Sequence, residues 1–125
     1  MGRVVSVCPD NKPIESGDQT TAAGTVFLAY KAALKGDAAF DEFFALWGPE
    51  ANKDFVRKQI WPRVIQHVGK YVVSPTDATY TLCRSMVTAQ NRVKLFVKCN
   101  DVQKSDPPIV LINDGGTWKI DTMTP

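Results

Sequence analysis

The chain changes its repeat near its midpoint. From Thr20 to Lys70 apolar residues recur every three to four positions, and from Tyr71 to Met123 they alternate every second position. A 3.6-residue period buries one stripe of a helix, whereas a two-residue period buries one face of a strand. Neither half hides its apolar side alone, so the two must pack on each other. Helices first and strands afterwards predict an α+β fold, with helices on one face of an antiparallel sheet. Residues 1–19, rich in Pro, Gly and Asp, read as an N-terminal arm with a short strand at Arg3–Val7. Residues 20–125 read as a single α+β domain. A chain of 125 residues is long enough to bury roughly two thirds of its unfolded surface.

Asp18 or Thr20 can cap the first helix and Gly36 can end it. Its apolar stripe is Ala23, Val26, Phe27, Tyr30, Ala33 and Leu34, with Lys31 and Lys35 opposite. Tyr30 sits at the centre of that stripe, where its hydroxyl needs a partner in protein, water or ligand. A second helix, AAFDEFFALWG, follows a cap at Asp37 and gathers Phe40, Phe43, Phe44 and Trp47 on one side. Aromatics at this spacing belong first to a core, and alternatively to the wall of a cavity. A third helical stretch runs from Pro49 to Gly69, with Val56, Ile60, Val64 and Val68 on a drifting face and Pro62 expected to kink it. Its Lys53, Arg57, Lys58, Arg63 and Lys70 read as a solvated basic face. His67 is the only histidine, and it has no cysteine, aspartate or glutamate at ligand spacing, so no metal site and no cofactor are expected.

The strand half begins at Tyr71–Ser74. Thr79–Thr88 and Val93–Asn100 form a long hairpin around Asn91, and Pro108–Asn113 with Thr117–Met123 form a second one around Asp114-Gly115-Gly116. Centring the first hairpin on Asn91 sets Cys83 opposite Cys99, Ser85 opposite Val97 and Val87 opposite Leu95. That face looks toward the helices, and Leu82, Arg84, Met86, Lys94, Phe96 and Lys98 look away. Opposed cysteines at such a position are close enough to bridge, so an oxidising compartment would allow a Cys83–Cys99 disulfide, whereas a reducing one would leave two buried thiols. Trp118 and Ile120 of the last strand face the core.

Lys and Arg number 15 against 13 Asp and Glu, a net charge of +2. This is too weak to make nucleic acid or an anionic membrane the main partner. No apolar run approaches the roughly 20 residues of a membrane span. Residues 1–13 are too short in apolar content for a secretory signal, so a cytoplasmic location is the default expectation, with an exported form left open. Val5-Ser6-Val7-Cys8 has the outline of a lipoprotein acylation site, with Val7 bulkier than the usual residue there.

The helix FLAYKAALKGD, the aromatic helix after it, the long hairpin and the closing DGGTWKID together resemble the nuclear transport factor two-like superfamily, the cystatin-like α+β cone. The likeness covers roughly residues 20–123, and the closing strand is similar to that of small bacterial proteins of unknown function, often lipoproteins. The resemblance implies helices on the concave face of a curved, mostly antiparallel sheet, with Trp118 helping to plug the interior. Isomerases of the superfamily place a tyrosine on the first helix, which Tyr30 resembles with a spacing to Gly36-Asp37 that differs by one residue. They also need inward carboxylates, and the inward positions Thr81, Cys83, Ser85, Val87, Val93, Leu95, Val97 and Cys99 supply none. A noncatalytic binding module is therefore the first expectation, with a small apolar ligand in a cavity lined by Tyr30, Phe44, Trp47, Ser85 and Trp118. A small enzyme of the isomerase, cyclase or hydrolase type is one alternative. The other is a homodimer assembled through Tyr80, Leu82, Met86 and Phe96 on the outer sheet face.

Overall fold

The computed structural model describes residues 10–100 and 108–123. Its six strands form one antiparallel, open sheet. They are β1 (Lys12–Ile14), β2 (Val72–Ser74), β3 (Asp77–Ala89), β4 (Arg92–Val97), β5 (Pro108–Asp114) and β6 (Thr117–Met123). In space the order is β1-β3-β4-β5-β6, with β2 also paired to β3. On one face lie α1 (Ala22–Lys35), α2 (Phe40–Phe44) and a broken helix made of α3 (Lys53–Phe55), a π turn (Val56–Ile60) and α4 (Trp61–His67). The α+β architecture and the curved antiparallel sheet are those expected. The Arg3–Val7 strand lies outside the described residues, and the lead-in instead contributes β1, whose Lys12 pairs with Leu82 of β3.

Thr21, not Asp18 or Thr20, caps α1: its hydroxyl accepts from the Gly24 N–H at 2.9 Å. Asp18 acts one step earlier and accepts from the hydroxyl and the backbone N–H of Thr20, which hold its carboxyl below the usual range. This lead-in folds back hard on the helix. A Cβ on Gly24 would lie 2.1 Å from the Asp18 carbonyl oxygen and 2.6 Å from its nitrogen. Only a residue without a side chain lets the two backbones meet this closely.

Beyond Gly36, Asp37 begins a tight 3₁₀ turn (Asp37–Ala39) that leads into α2. Its carboxylate caps nothing, and instead accepts from the Trp61 indole N–H at 3.2 Å. Pro62 lies in the first turn of α4, directly after the π turn. Proline lacks an N–H and crowds the carbonyl four residues back, and the widened turn accommodates both effects. The extra residue in that turn shifts the phase of the helix and sends Trp61 into the core. The indole is 1% exposed, with ring centroids 4.6 Å from Phe43 and 5.9 Å from Phe40. Its burial is not apparent from the Val56–Ile60–Val64–Val68 stripe. Tyr30 stacks on Tyr71 at 5.9 Å and meets the edge of Tyr80 at 5.4 Å.

The first hairpin pairs in a register two residues away from a centre on Asn91. Ser85 faces Leu95 and Val87 faces Val93. Between the pairs Arg84–Phe96 and Leu82–Val97, β3 carries one residue more than β4, and that residue is Cys83. A bulge of this kind bends the strand and reverses the phase of every side chain beyond it. Tyr80 and Leu82 therefore turn inward, at 1% and 8% exposure, against the expected outward facing. The Tyr80 hydroxyl donates to the Ala23 carbonyl of α1 at 2.6 Å. The bulge also removes Cys83 from any position opposite Cys99. Cys83 is disulfide-bonded and Cys99 is a buried thiol, so of the two outcomes left open for this pair the Cys83–Cys99 bridge is not the one formed. A further bulge, at Asp121 in β6, adds to the bend.

The free edge of β6 is covered by segments that are not strands. The Trp118 N–H donates to the Gln19 carbonyl at 2.8 Å, and the Trp118 carbonyl accepts from the Gln19 amide and the Thr25 hydroxyl. The Ile120 N–H donates to Leu46, and the Ile120 carbonyl accepts from Gly48.

Two predictions follow from this packing. Alanine normally gains about 1 kcal/mol over glycine inside a helix, but at Gly24 the collision with Asp18 decides the sign. Gly24→Ala is expected to lower unfolding stability by about 2 kcal/mol, the scale of an overpacked site, measured as a shift in the urea midpoint. Burial raises the hydroxyl pKa of Tyr30 and Tyr80 above the ordinary value of 10.0. The folded chain thus holds protons that the unfolded chain releases. This contribution is complete below the unfolded pKa and declines as pH rises above it. In an alkaline titration both tyrosines are expected to ionise only together with the loss of circular dichroism, above about pH 10.

Candidate functional site

The hairpin β3–β4 extends beyond the helical layer. From Arg84 to Ala89 every residue of β3 is exposed, although Ser85 and Val87 share a face with buried Leu95 and Val93. Val87 is 81% exposed. An inward position with nothing packed on it marks one wall of a groove. The opposite wall is the α1 lead-in and first turn, at Thr20, Thr21 and Ala22. Between them is an open groove of about 450 Å³, with Leu82, Val93 and Leu95 along the sheet and Trp118 of β6 at one side. Volumes of this order suit a small organic ligand.

The groove inherits its shape from the features above. The contact of Gly24 with Asp18 sets where Thr20 and Thr21 stand. The bulge at Cys83 turns Leu82 inward. Trp118 is fixed through its backbone by Gln19 and by Thr25, whose single hydroxyl proton is shared between the Trp118 carbonyl at 2.9 Å and the Thr21 carbonyl at 3.1 Å. Thr25 is fully buried, with its hydroxyl satisfied by this pair of bonds.

The lining is apolar with a polar rim. Ser85, Thr20 and Thr21 offer hydroxyls, Gln90 an amide and Arg92 a guanidinium. The Arg92 guanidinium is bound to the Asp121 carboxylate at 2.6 Å. A charge-assisted bond this short fixes the arginine and offsets its charge at the rim. Among the described residues no group of three His, Cys, Asp or Glu could hold a metal ion. No helix among them is long and apolar enough to cross a membrane.

Of the five expected lining residues, Ser85 and Trp118 border this groove, and Tyr30, Phe44 and Trp47 stand elsewhere. Tyr30 belongs to the tyrosine cluster in the core. Phe44 stacks on Phe40 at 5.8 Å, with the Lys53 ammonium 5.8 Å from its ring. Trp47 is buried beside Phe43, and its indole N–H has no hydrogen-bond partner among the described residues. Leu82, expected outside, is part of the groove. Thr20, Thr21, Ala22, Gln90 and Arg92 were not foreseen as lining. The alternation could have pointed to Val87, since it shares a face with Val93 while lying far from any helix. Comparison of the chain with protein-family models, with curated proteins and with solved structures finds no match in any of the three.

Thr25→Val keeps the shape of the side chain and removes one bond to the Trp118 carbonyl. It is expected to cost about 1 kcal/mol, read from urea unfolding, and to change the fluorescence emission of Trp118. The emission is checked in a background with Trp47 and Trp61 replaced by Phe.

Proposed function

We propose that this chain is a noncatalytic binding module that holds a small apolar ligand in the groove between α1 and the β3–β4 hairpin. We propose further that its fold is the nuclear transport factor two-like cone. The observation that carries the first reading is Val87, an inner-face apolar side chain left 81% exposed at the mouth of a groove that Val93, Leu95 and Trp118 also line. Apolar area removed from water contributes about 25 cal/mol per Å², so a ligand filling this space gains most of its affinity there. The hydroxyls at the rim would orient it. General acid–base catalysis needs two positioned groups of separated pKa. The rim offers hydroxyls, an amide and a guanidinium already held by Asp121, a set that suits orientation better than proton transfer. The fold reading is supported by the curved antiparallel sheet with helices on one face and by the closing Trp118–Asp121 strand. The disulfide at Cys83 supports an oxidising compartment and hence an exported form.

The neutral apolar fluorophore N-phenyl-1-naphthylamine is expected to bind with micromolar affinity and a blue-shifted emission. Ser85→Trp, which fills the groove from an exposed position, is expected to weaken that binding about tenfold or more with the melting temperature unchanged. Equal binding by wild type and Ser85→Trp would overturn the assignment of the groove.

A further inference from the structure

The outer face of the sheet carries a second surface, on the opposite side from the groove. Registers across β3, β4 and β5 set Arg84, Phe96 and Pro108 in one row and Met86, Lys94 and Val110 in the next. The Arg84 guanidinium lies 4.8 Å from the centre of the Phe96 ring, and the Lys94 ammonium lies 5.8 Å from it. Two cations thus rest against one ring, with Met86 nearby at 42% exposure. Arg92, at the rim of the groove, is paired with Asp121, and Lys119 with Asp114. Arg84 and Lys94 have no carboxylate partner among the described residues. The result is a chequered patch of apolar side chains and two positive charges that no carboxylate among the described residues offsets.

We propose that this patch docks an acidic polypeptide segment that carries apolar side chains between its carboxylates. Charge complementarity selects the occupant. A cation resting on an aromatic ring keeps its full charge and loses little further freedom when a carboxylate reaches it. Carboxylates spaced along an extended segment can meet Arg84 and Lys94, while its apolar side chains cover Phe96, Met86 and Val110. A second copy of the chain fits poorly. A two-fold contact sets a patch against itself and brings Arg84 and Lys94 against their own copies, and like charges disfavour such a contact. Two of the four residues expected for a dimer, Tyr80 and Leu82, face the helices in any case. A nucleic-acid strand draws its affinity from many neutralised phosphates, and the two cations of this patch offer few.

The test uses the full chain and a fluorescein-labelled peptide, Asp-Phe-Glu-Asp-Leu-Glu-Asp-Phe-Glu, followed by anisotropy and by amide chemical-shift mapping. The peptide is expected to bind and to shift the amides of Arg84, Met86, Lys94 and Phe96. Its Asn/Gln analogue, and the Arg84→Glu/Lys94→Glu variant with the native peptide, are each expected to bind about tenfold more weakly or worse. Should that variant misfold, Arg84→Gln/Lys94→Gln carries the same expectation with less perturbation. The proposal is overturned if no shifts occur or they map elsewhere, if the amide analogue binds equally well, or if a ten-nucleotide deoxythymidine strand binds the patch more tightly. It is also overturned if the chain dimerises through this face in sedimentation and thereby excludes the peptide.

Discussion

One residue more in β3 than in β4 determines which side chains of this sheet meet the helices. Without the bulge at Cys83, the alternation that points Ser85 and Val87 inward would continue back to Thr81 and Thr79, placing hydroxyls on the core face. With it, Tyr80 and Leu82 take the inward positions. The large aromatic ring then closes the cluster with Tyr30 and Tyr71 and reaches the Ala23 carbonyl. Bulges also bend strands and increase their twist, so the same insertion lets the sheet curve around α1. The tyrosine cluster, the orientation of α1 and the position of the groove all lie downstream of this one change of phase.

The broad plan was legible because it rests on long, repetitive signals. The periods of 3.6 and 2 separate the helical half from the strand half, and Asp114-Gly115-Gly116 marks the last turn, where Gly115 and Gly116 take φ values of 64° and 97°. β6 spans the expected Thr117–Met123. What escaped was local phase. A bulge leaves no trace in composition, so strict alternation reverses the parity of β3 before Cys83 and sets Cys83 opposite Cys99. The π turn before Pro62 hid Trp61 in the same way. The lead-in was read as an arm because β1 is short and its pairing with β3 is non-local. The groove was half legible: Ser85 and Trp118 follow from alternation. Thr20, Thr21 and Arg92 depend on how far the hairpin overshoots the helices, a length that no single residue encodes.

The two faces of the sheet offer different chemistry to a partner. The inner face ends in an apolar groove, with Val87 exposed at its mouth and its one lining guanidinium tied to Asp121. The outer face carries the cations of Arg84 and Lys94, resting on Phe96. The hairpin β3–β4 contributes to both. Residues 84 to 96 therefore connect the groove to the outer patch through a single pair of strands, with consecutive side chains pointing to opposite sides.

The lateral border of β6 has a bearing on colloidal behaviour. A terminal strand with bare amides and carbonyls can template the next molecule, and stacking of that kind leads toward fibrils. Here Gln19, Thr25, Leu46 and Gly48 occupy the outward main-chain groups of Trp118 and Ile120. Intermolecular strand addition along this border would first have to break those bonds, so the middle of β6 is shielded against head-on growth into larger aggregates even though it closes the sheet.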